Sequence, residues 1–251
     1  MLGRMMQNEN KRLRVRVLQG FLGFLLAVLL SGCGPKTYTV AHQPGVWKVI
    51  TYNLHGVAEA QSIRKRTDIL AQYCVNNRVD VILGQEFVGG PLAAFVHLVE
   101  DGAMRLGKQL SYSYYSTLSW NLYGLDYRTG VVSRWDQASQ ISLPLSHNKS
   151  ATLVWADGIW WASVHASSSS PLDHLETVLS RIPPLEPAVV GGDFNSSSSD
   201  METLATRFGF TEAHPSAEID RIFVRGFQIV SSQVIDLAIS DHNGMLITLR
   251  R

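Results

Sequence analysis

The sequence predicts an α/β domain in which two packed β-sheets are flanked by helices. Strand-like runs outnumber helical ones and the two follow each other in mixed order, an arrangement that helix-covered sheets accommodate. The side chains able to do chemistry gather in five short patches at strand ends: Thr51–Gly56, Gln85-Glu86, Val164-His165, Gly191–Asn195 and Ser240–His242. With an N-terminal leader set aside, 219 residues remain, enough for one buried core without a second domain.

The leader opens the chain. Lys11, Arg12, Arg14 and Arg16 form a basic run, residues 17–30 are nearly all apolar, and Ser31-Gly32-Cys33 follow. A basic start, a short apolar core and a small-residue cleavage site describe a signal peptide. Fourteen apolar-rich residues are too few for a comfortable membrane span. Leu30-Ser-Gly-Cys33 resembles the lipobox of bacterial lipoproteins, whose cysteine becomes the lipidated first residue. The expected product is exported and held to a membrane of a bacterial cell envelope by a lipid on Cys33. Residues 1–32 are then the signal peptide, 33–45 a tether with Pro35, Pro44 and Gly45, and 46–251 the domain. An ordinary membrane anchor or an uncleaved leader is the alternative.

Removing the leader changes the charge balance. The whole chain has 22 Lys and Arg against 21 Asp and Glu, a net of +1. Residues 1–32 take away five basic side chains and one acidic one, leaving 17 against 20, a net of −3. A mildly acidic domain carries no broad electrostatic footprint for nucleic acid, although a local basic patch remains open. Cys74 is the one cysteine beyond Cys33, so no intramolecular disulfide forms once Cys33 is lipidated. In its apolar helical stretch Cys74 reads as a small buried hydrophobe.

The elements follow in order. Trp47–Tyr52 alternates and reads as the first strand. Ile63, Ile69, Leu70 and Tyr73 recur at helical spacing, which predicts a helix over 62–76. Val79–Leu83 is a short apolar strand running to Gln85-Glu86, and Leu92–Leu106 reads as a second helix. Strands are expected at Tyr112–Leu118, Gly130–Ser133, Gln140–Leu143, Ala151–Trp155 and Ile159–His165. Leu172–Arg181 is a helix stopped by Pro183-Pro184. Val189-Val190 is a buried strand, Met201–Phe208 a short helix, and Ile219–Val224, Phe227–Val230 and Leu246–Leu249 the closing strands.

Val189-Val-Gly-Gly-Asp-Phe-Asn195 carries the most specific chemical signal. Two glycines at a strand end let the backbone turn tightly and approach a ligand. In an extended continuation Asp193 and Asn195 point the same way. A carboxylate there can orient or deprotonate water, and an amide can donate to a phosphoryl oxygen. The plain alternative is an Asx turn that closes the strand. His242 can serve as general acid or base near neutral pH. Its neighbour Asp241 points away from it in an extended segment, so Asp220, opening the Ile219–Val224 strand, is the candidate partner. Glu86 suits a hard cation, which takes oxygen ligands from one or two carboxylates and waters, with Asn53 or Asp241 to assist. His165 ends its strand, and His55 either contacts phosphate or closes the turn with Gly56. Arg134, Arg221 and Arg225 are the local basic candidates for substrate contact. No Cys/His set has structural-zinc spacing. The aromatic stretch Tyr112, Tyr114, Tyr115, Trp120 and Tyr123 could stack bases, face lipid, or pack.

In this order, Tyr52-Asn53, Gln85-Glu86, Gly130-Val-Val-Ser-Arg134, Val164-His165, Gly192-Asp-Phe-Asn195, Ile219-Asp220 and Ser240-Asp-His242 resemble the motifs of the endonuclease/exonuclease/phosphatase superfamily over residues 46–250. The resemblance implies a DNase I-like fold, a four-layer α/β/β/α sandwich of two central mixed sheets with the site at one rim. It implies Mg²⁺, with Mn²⁺ as the alternative, held chiefly by Glu86 with Asn53 or Asp241 close by. Carried over, Asp193 positions or activates water, Asn53 and Asn195 hold the phosphate, Asp220 orients His242, and His165 and His242 flank the scissile group. The ion and imidazolium would offset charge on the phosphoryl oxygens. Which histidine is the general acid is left open.

A narrower likeness joins Gln85-Glu-Phe-Val-Gly89, Gly130–Arg134 and Val164-His-Ala166 to the cytolethal distending toxin catalytic subunits, a DNase-like branch. Phe87 and Val88 stand where DNase I-type enzymes carry an arginine. The implied activity is Mg²⁺-dependent phosphodiester hydrolysis by a monomeric exported nuclease or nuclease-related enzyme, with DNA among the candidate substrates. The alternatives are a phosphatase of phosphoinositide-like or other small phosphomonoesters, and a noncatalytic surface binding module that kept the fold.

Overall fold

The computed structural model describes residues 37–55, 60–89, 101–122, 125–214 and 218–251. The expected signal peptide, Cys33, residues 92–100 of the expected second helix, Gly56 and Tyr123 lie outside them. Within the described residues, β1 (Val46–Asn53), β2 (Val81–Gly89), β3 (Ser113–Leu122), β4 (Leu125–Ser133), β11 (Gln228–Ile235) and β12 (Gly244–Arg250) form one sheet, in the order β11-β12-β1-β2-β4-β3. The second holds β5 (Ser139–Leu145), β6 (Lys149–Ala156), β7 (Ile159–His165), β8 (Ala188–Asp193), β9 (Thr211–Glu212) and β10 (Asp220–Arg225), in the order β5-β6-β7-β8-β10-β9. Each sheet has one parallel pair, β1 with β2 and β7 with β8. Parallel neighbours need a crossover, here α1 (Ala60–Asn77) and α3 (Pro171–Leu179). The remaining helices are α2 (Gly102–Leu110) and α4 (Asp200–Arg207).

Alternation along the strands sorts the core into three slabs. On β1, Trp47 and Val49 face the other sheet, where they meet Val154, Trp161, Val189 and Ile222. Ile50 and Tyr52 face the helices and pack with Leu70, Cys74 and Leu106. Behind the second sheet, Val190 and Phe223 pack with Leu175, Val178 and Leu204. The layers are therefore α/β/β/α, and the parallel pairs point their C-terminal ends to the same rim.

Several boundaries differ from the sequence reading: β4 starts at Leu125, not Gly130, and β11 runs to Ile235, not Val230. Two others bear on the fold. Residues 37–45, expected as tether, dock on the domain: the backbone N–H of Tyr38 donates to Gln109 O at 2.7 Å, Val40 is buried, and His42 lies 3.1 Å from Asp80. Apolar Val40 joins the helix-side core, so the chain is fixed before β1 begins. Helix α2 runs to Leu110, not Leu106. Asp101 caps it, accepting from the N–H groups of Ala103 and Met104, and Ser111 ends it at φ +56.

β2 carries the irregularity that matters most. The register to β4 slips between Gly84 and Phe87, and Glu86 adopts φ +53. Leu83 and Gln85 face the second sheet, so regular alternation would send Glu86 toward the helices. The bulge turns it instead to within 3.9 Å of His165. Phe87 then sits on the helix side, fully buried, over a floor of Gly84, Gly102 and Gly130. A methyl group at Gly84 would overlap its ring.

Candidate active site

Strand register builds half of the site. His165 of β7 pairs with Asp193 of β8, and Asp193 pairs with Asp220 of β10, so the three stand side by side at one rim of the second sheet. Gly192 permits this approach, because any Cβ there would run into the Val164 carbonyl. In the first sheet Asn53 pairs with Gln85 and the N–H of Leu54 donates to Gln85 O, which sets Glu86 beside the end of β1. The halves meet where Asn53 Nδ2 donates to Asp193 Oδ2 at 3.0 Å.

Around that bridge the charged groups are close. His242, in the turn before β12, shares its Nδ1 proton with Asp220 Oδ2 at 2.8 Å and holds Nε2 3.9 Å from Asp193 Oδ2. His165 Nε2 lies 3.5 Å from Asp193 Oδ2. Asp241 points the other way, to His55 Nδ1 at 2.8 Å, and both are partly exposed. The N–H of His55 donates to Asn53 Oδ1 at 2.9 Å. The structure thus gathers Asn53, Glu86, His165, Asp193, Asp220 and His242, with Asn195 and the His55–Asp241 pair at the margin.

The chain does not stay extended past Asp193, which corrects that expectation. Asn195 has φ +52, and its N–H donates to Asp193 Oδ1 at 2.8 Å, closing an Asx turn. One amide hydrogen of Asn195 goes to Ala166 O at 2.9 Å, which leaves the second for a ligand.

Burial and pairing divide the titrating groups. Burial lifts Asp220 to about 6, partly opposed by its hydrogen bond with His242. That bond, working against desolvation, raises His242 to about 9. Burial, then Lys149 and His242, push His165 down to about 3. Burial also raises Asp193, opposed by His242 and by donors from Asn195 and Asn53. At neutral pH one imidazole is charged and the other neutral.

Arg134 is not part of this rim, a correction to its expected role in substrate binding. Its guanidinium bonds Asp80 Oδ1 at 2.7 Å and Val40 O at 2.9 Å. Asp80 precedes β2, six residues before Glu86, or about 20 Å along a strand. The other two candidates also serve the fold. Arg221 grips Glu212 through Nε and Nη2 at 2.7 and 2.6 Å and donates to Ser198 O; Arg225 donates to three carbonyls.

Three residues near the site had no signal in the sequence reading. Lys149 Nζ is 2.5 Å from His165 Nε2. His174, buried, accepts from Ser167 N–H and contacts Ser146 Oγ. Arg66 Nη1 donates to the carbonyls of Leu54 and His55, fixing the turn after Asn53. Only the pairing of Ser150 with His165 brings Lys149 near, and that register is tertiary information.

The donor set fits a hard divalent cation. Asp193, Asp220 and His242 place ligand atoms within 4.8 Å of one another, and Asp220 Oδ1 is buried without a hydrogen-bond partner. His242 spends Nδ1 on Asp220 and is charged, so that trio reads first as a hydrogen-bonded relay. The carboxylates of Glu86 and Asp193 with Asn53 Oδ1 offer oxygens of the kind such cations select.

A family model described as the Endonuclease/Exonuclease/phosphatase family matches residues 50–242. No curated protein matches the chain. Similar solved structures include an endonuclease/exonuclease/phosphatase family protein from Leptotrichia buccalis C-1013-b, at 18% identity and TM-score 0.66 over 82% of this chain and 100% of that one. The mannosyl-6-phosphatase Bt3783 of Bacteroides thetaiotaomicron is similar at 14% and 0.63, over 82% and 100%. D. rerio TDP2 complexed with single strand DNA product is similar at 16% and 0.57, over 82% and 99%. Identities this low speak to fold.

Proposed function

The chain belongs to the endonuclease/exonuclease/phosphatase family, and we propose that it is an exported, lipid-anchored phosphodiester hydrolase working with Mg²⁺. Members of the family are metal-dependent phosphoesterase and nuclease hydrolases. One observation carries the finer reading: the Asn53–Asp193 bridge joins Asn53 and Glu86 of one sheet to His165, Asp193 and Asp220 of the other, with His242 between the two aspartates.

In this proposal Glu86 would hold the cation, with Asn53 in support, while Asp241, also expected to assist, faces His55 instead. Bound there, the cation would polarise a phosphoryl oxygen. Asp193 orients the attacking water and accepts its proton, since burial has already made the carboxylate more basic. Asp220 fixes the His242 ring, which presents its Nε2 proton to the phosphoryl group. Asn53 stiffens Asp193, and Asn195 offers its second amide hydrogen to the substrate.

A second reading, hydrolysis of a small phosphomonoester, is favoured by the internal employment of Arg134, Arg221 and Arg225, which removes the arginines best suited to grip a nucleic-acid backbone. The name of the Bacteroides thetaiotaomicron neighbour points the same way. Turnover of plasmid DNA, a phosphoinositide and a bis-aryl phosphodiester, with Mg²⁺ and then with chelator, separates the readings. Chelator-sensitive cleavage of either diester supports the first, and hydrolysis confined to monoesters replaces it with the second. Silence on every substrate would favour a noncatalytic binding module.

A further inference from the structure

The β5–β6 hairpin delivers a lysine that none of the motifs contains. Leu145 pairs with Lys149 across the three-residue turn Ser146-His147-Asn148, in which His147 and Asn148 both have positive φ. The hairpin is tied down behind the turn. His174 accepts from the backbone of Ser167, just past His165, through Nδ1 at 3.1 Å, so its Nε2 carries the proton and donates to Ser146 Oγ at 2.8 Å. The next residue, Ser150, pairs with His165 and bonds Ser119 Oγ of the opposite sheet at 2.6 Å. Lys149 is thus fixed on both sides.

Its ammonium points into the rim. Nζ lies 2.5 Å from His165 Nε2, and the carboxylates that act on it are Asp193 and Glu86. An ammonium only donates, so His165 Nε2 accepts. Among the described residues this is the one hydrogen bond the Lys149 ammonium makes. Two of its three N–H donors therefore bond no described protein group and are open to a ligand. The group is half-buried, so leaving them unfilled in a closed complex would be costly.

We propose that Lys149 is a substrate-contacting residue whose ammonium, held by the clamped β5–β6 hairpin beside His165, binds a non-bridging phosphoryl oxygen. The inference rests on the phosphoester reading above. It adds a fixed cation beside His165, in addition to the imidazolium of His242. An arginine at this position would keep the charge, while a methionine would keep only the stem.

The test titrates inorganic phosphate into the full chain with Mg²⁺, by calorimetry, for the wild type, Lys149→Met, Lys149→Ala and Lys149→Arg, beside turnover of bis(p-nitrophenyl) phosphate. Loss of a charged hydrogen bond corresponds to a loss of roughly tenfold or more. Phosphate affinity and kcat/KM should fall by that factor in Lys149→Met and Lys149→Ala and return largely in Lys149→Arg, with thermal stability unchanged in Lys149→Met. Wild-type phosphate affinity in a folded Lys149→Met protein would overturn the assignment, whatever the turnover. If the wild type hydrolyses no phosphoester, the functional reading fails, and the phosphate titration still decides whether Lys149 binds the anion.

Discussion

Asp220 comes from β10 and His242 from the turn before β12, and their 2.8 Å contact sets the charge state of the rim. With Asp220 at about 6 and His242 at about 9, the pair is carboxylate and imidazolium between those values. A group whose folded pKa is raised contributes its full stability below the unfolded value and loses it as pH climbs through the folded one. For His242 in metal-free protein that window runs from about 6.5 to about 9. Asp220→Asn removes the anion, so the His242 ring should titrate nearer 6.5, and an NMR titration of its ring protons reads this directly; identical midpoints in the two proteins would sink the assignment. His242→Ala should lower kcat by about 10²–10⁴ if the ring transfers a proton, with circular dichroism unchanged; full turnover in the folded variant excludes that role. Glu86→Gln keeps the shape and removes an anionic oxygen. The Mg²⁺ concentration for half-maximal activity should therefore rise, and an unaltered titration curve would remove Glu86 from the proposed metal set.

At the scale of elements, the site depends on one bulge and on register. Glu86 reaches the rim because β2 slips between Gly84 and Phe87, and Phe87 locks the slip by filling the space over Gly84 and Gly130. Gly84→Ala forces the ring off that floor. It should cost about 1–3 kcal/mol, as overpacking does, and reduce activity through Glu86, although Gly84 touches no substrate. Denaturant unfolding together with turnover checks both halves, and a variant as stable and active as the wild type would mean the bulge is not held this way. The Phe87 that replaces an expected arginine thus has a packing function. On the other sheet, Arg221 follows Asp220 directly and buries its guanidinium against Glu212. Glu212→Gln leaves a buried charge without its partner and should cost about 3–5 kcal/mol, measured by unfolding.

At the scale of the whole molecule, two sheets facing each other with parallel pairs at their centres bring four strand ends, the β2 bulge and a turn to one rim. Helices cover both outer faces. The active groups sit where the two halves touch, so rigidity there comes from the inter-sheet core of Val49, Leu83, Val154, Trp161, Val189 and Ile222. The proposed lipid at Cys33 belongs to this scale too, since it would hold the whole domain to a membrane. Cys33→Ser should release the protein into the soluble fraction and remove the mass of the acyl chains; unchanged mass and membrane association would show that the anchor lies elsewhere.

The sequence by itself determined the layer class, the order of most strands and helices and the types of residue at the rim, because alternation, strand-end glycines and short polar motifs are local. Asp193, Asp220 and His242 were legible from their patches, and Asp220 could be matched to His242 because an adjacent Asp241 in an extended segment must point elsewhere. Tertiary structure alone decided the rest. Arg134 reads the same in sequence whether it touches substrate or Asp80, and only its position at the far end of β2 from Glu86 shows the latter. Lys149 has no motif, and only the pairing of Ser150 with His165 carries it to the site. The physical reason is that a side chain's reach is set by register and bulges, which depend on long-range strand pairing and not on the neighbours of a residue in the chain.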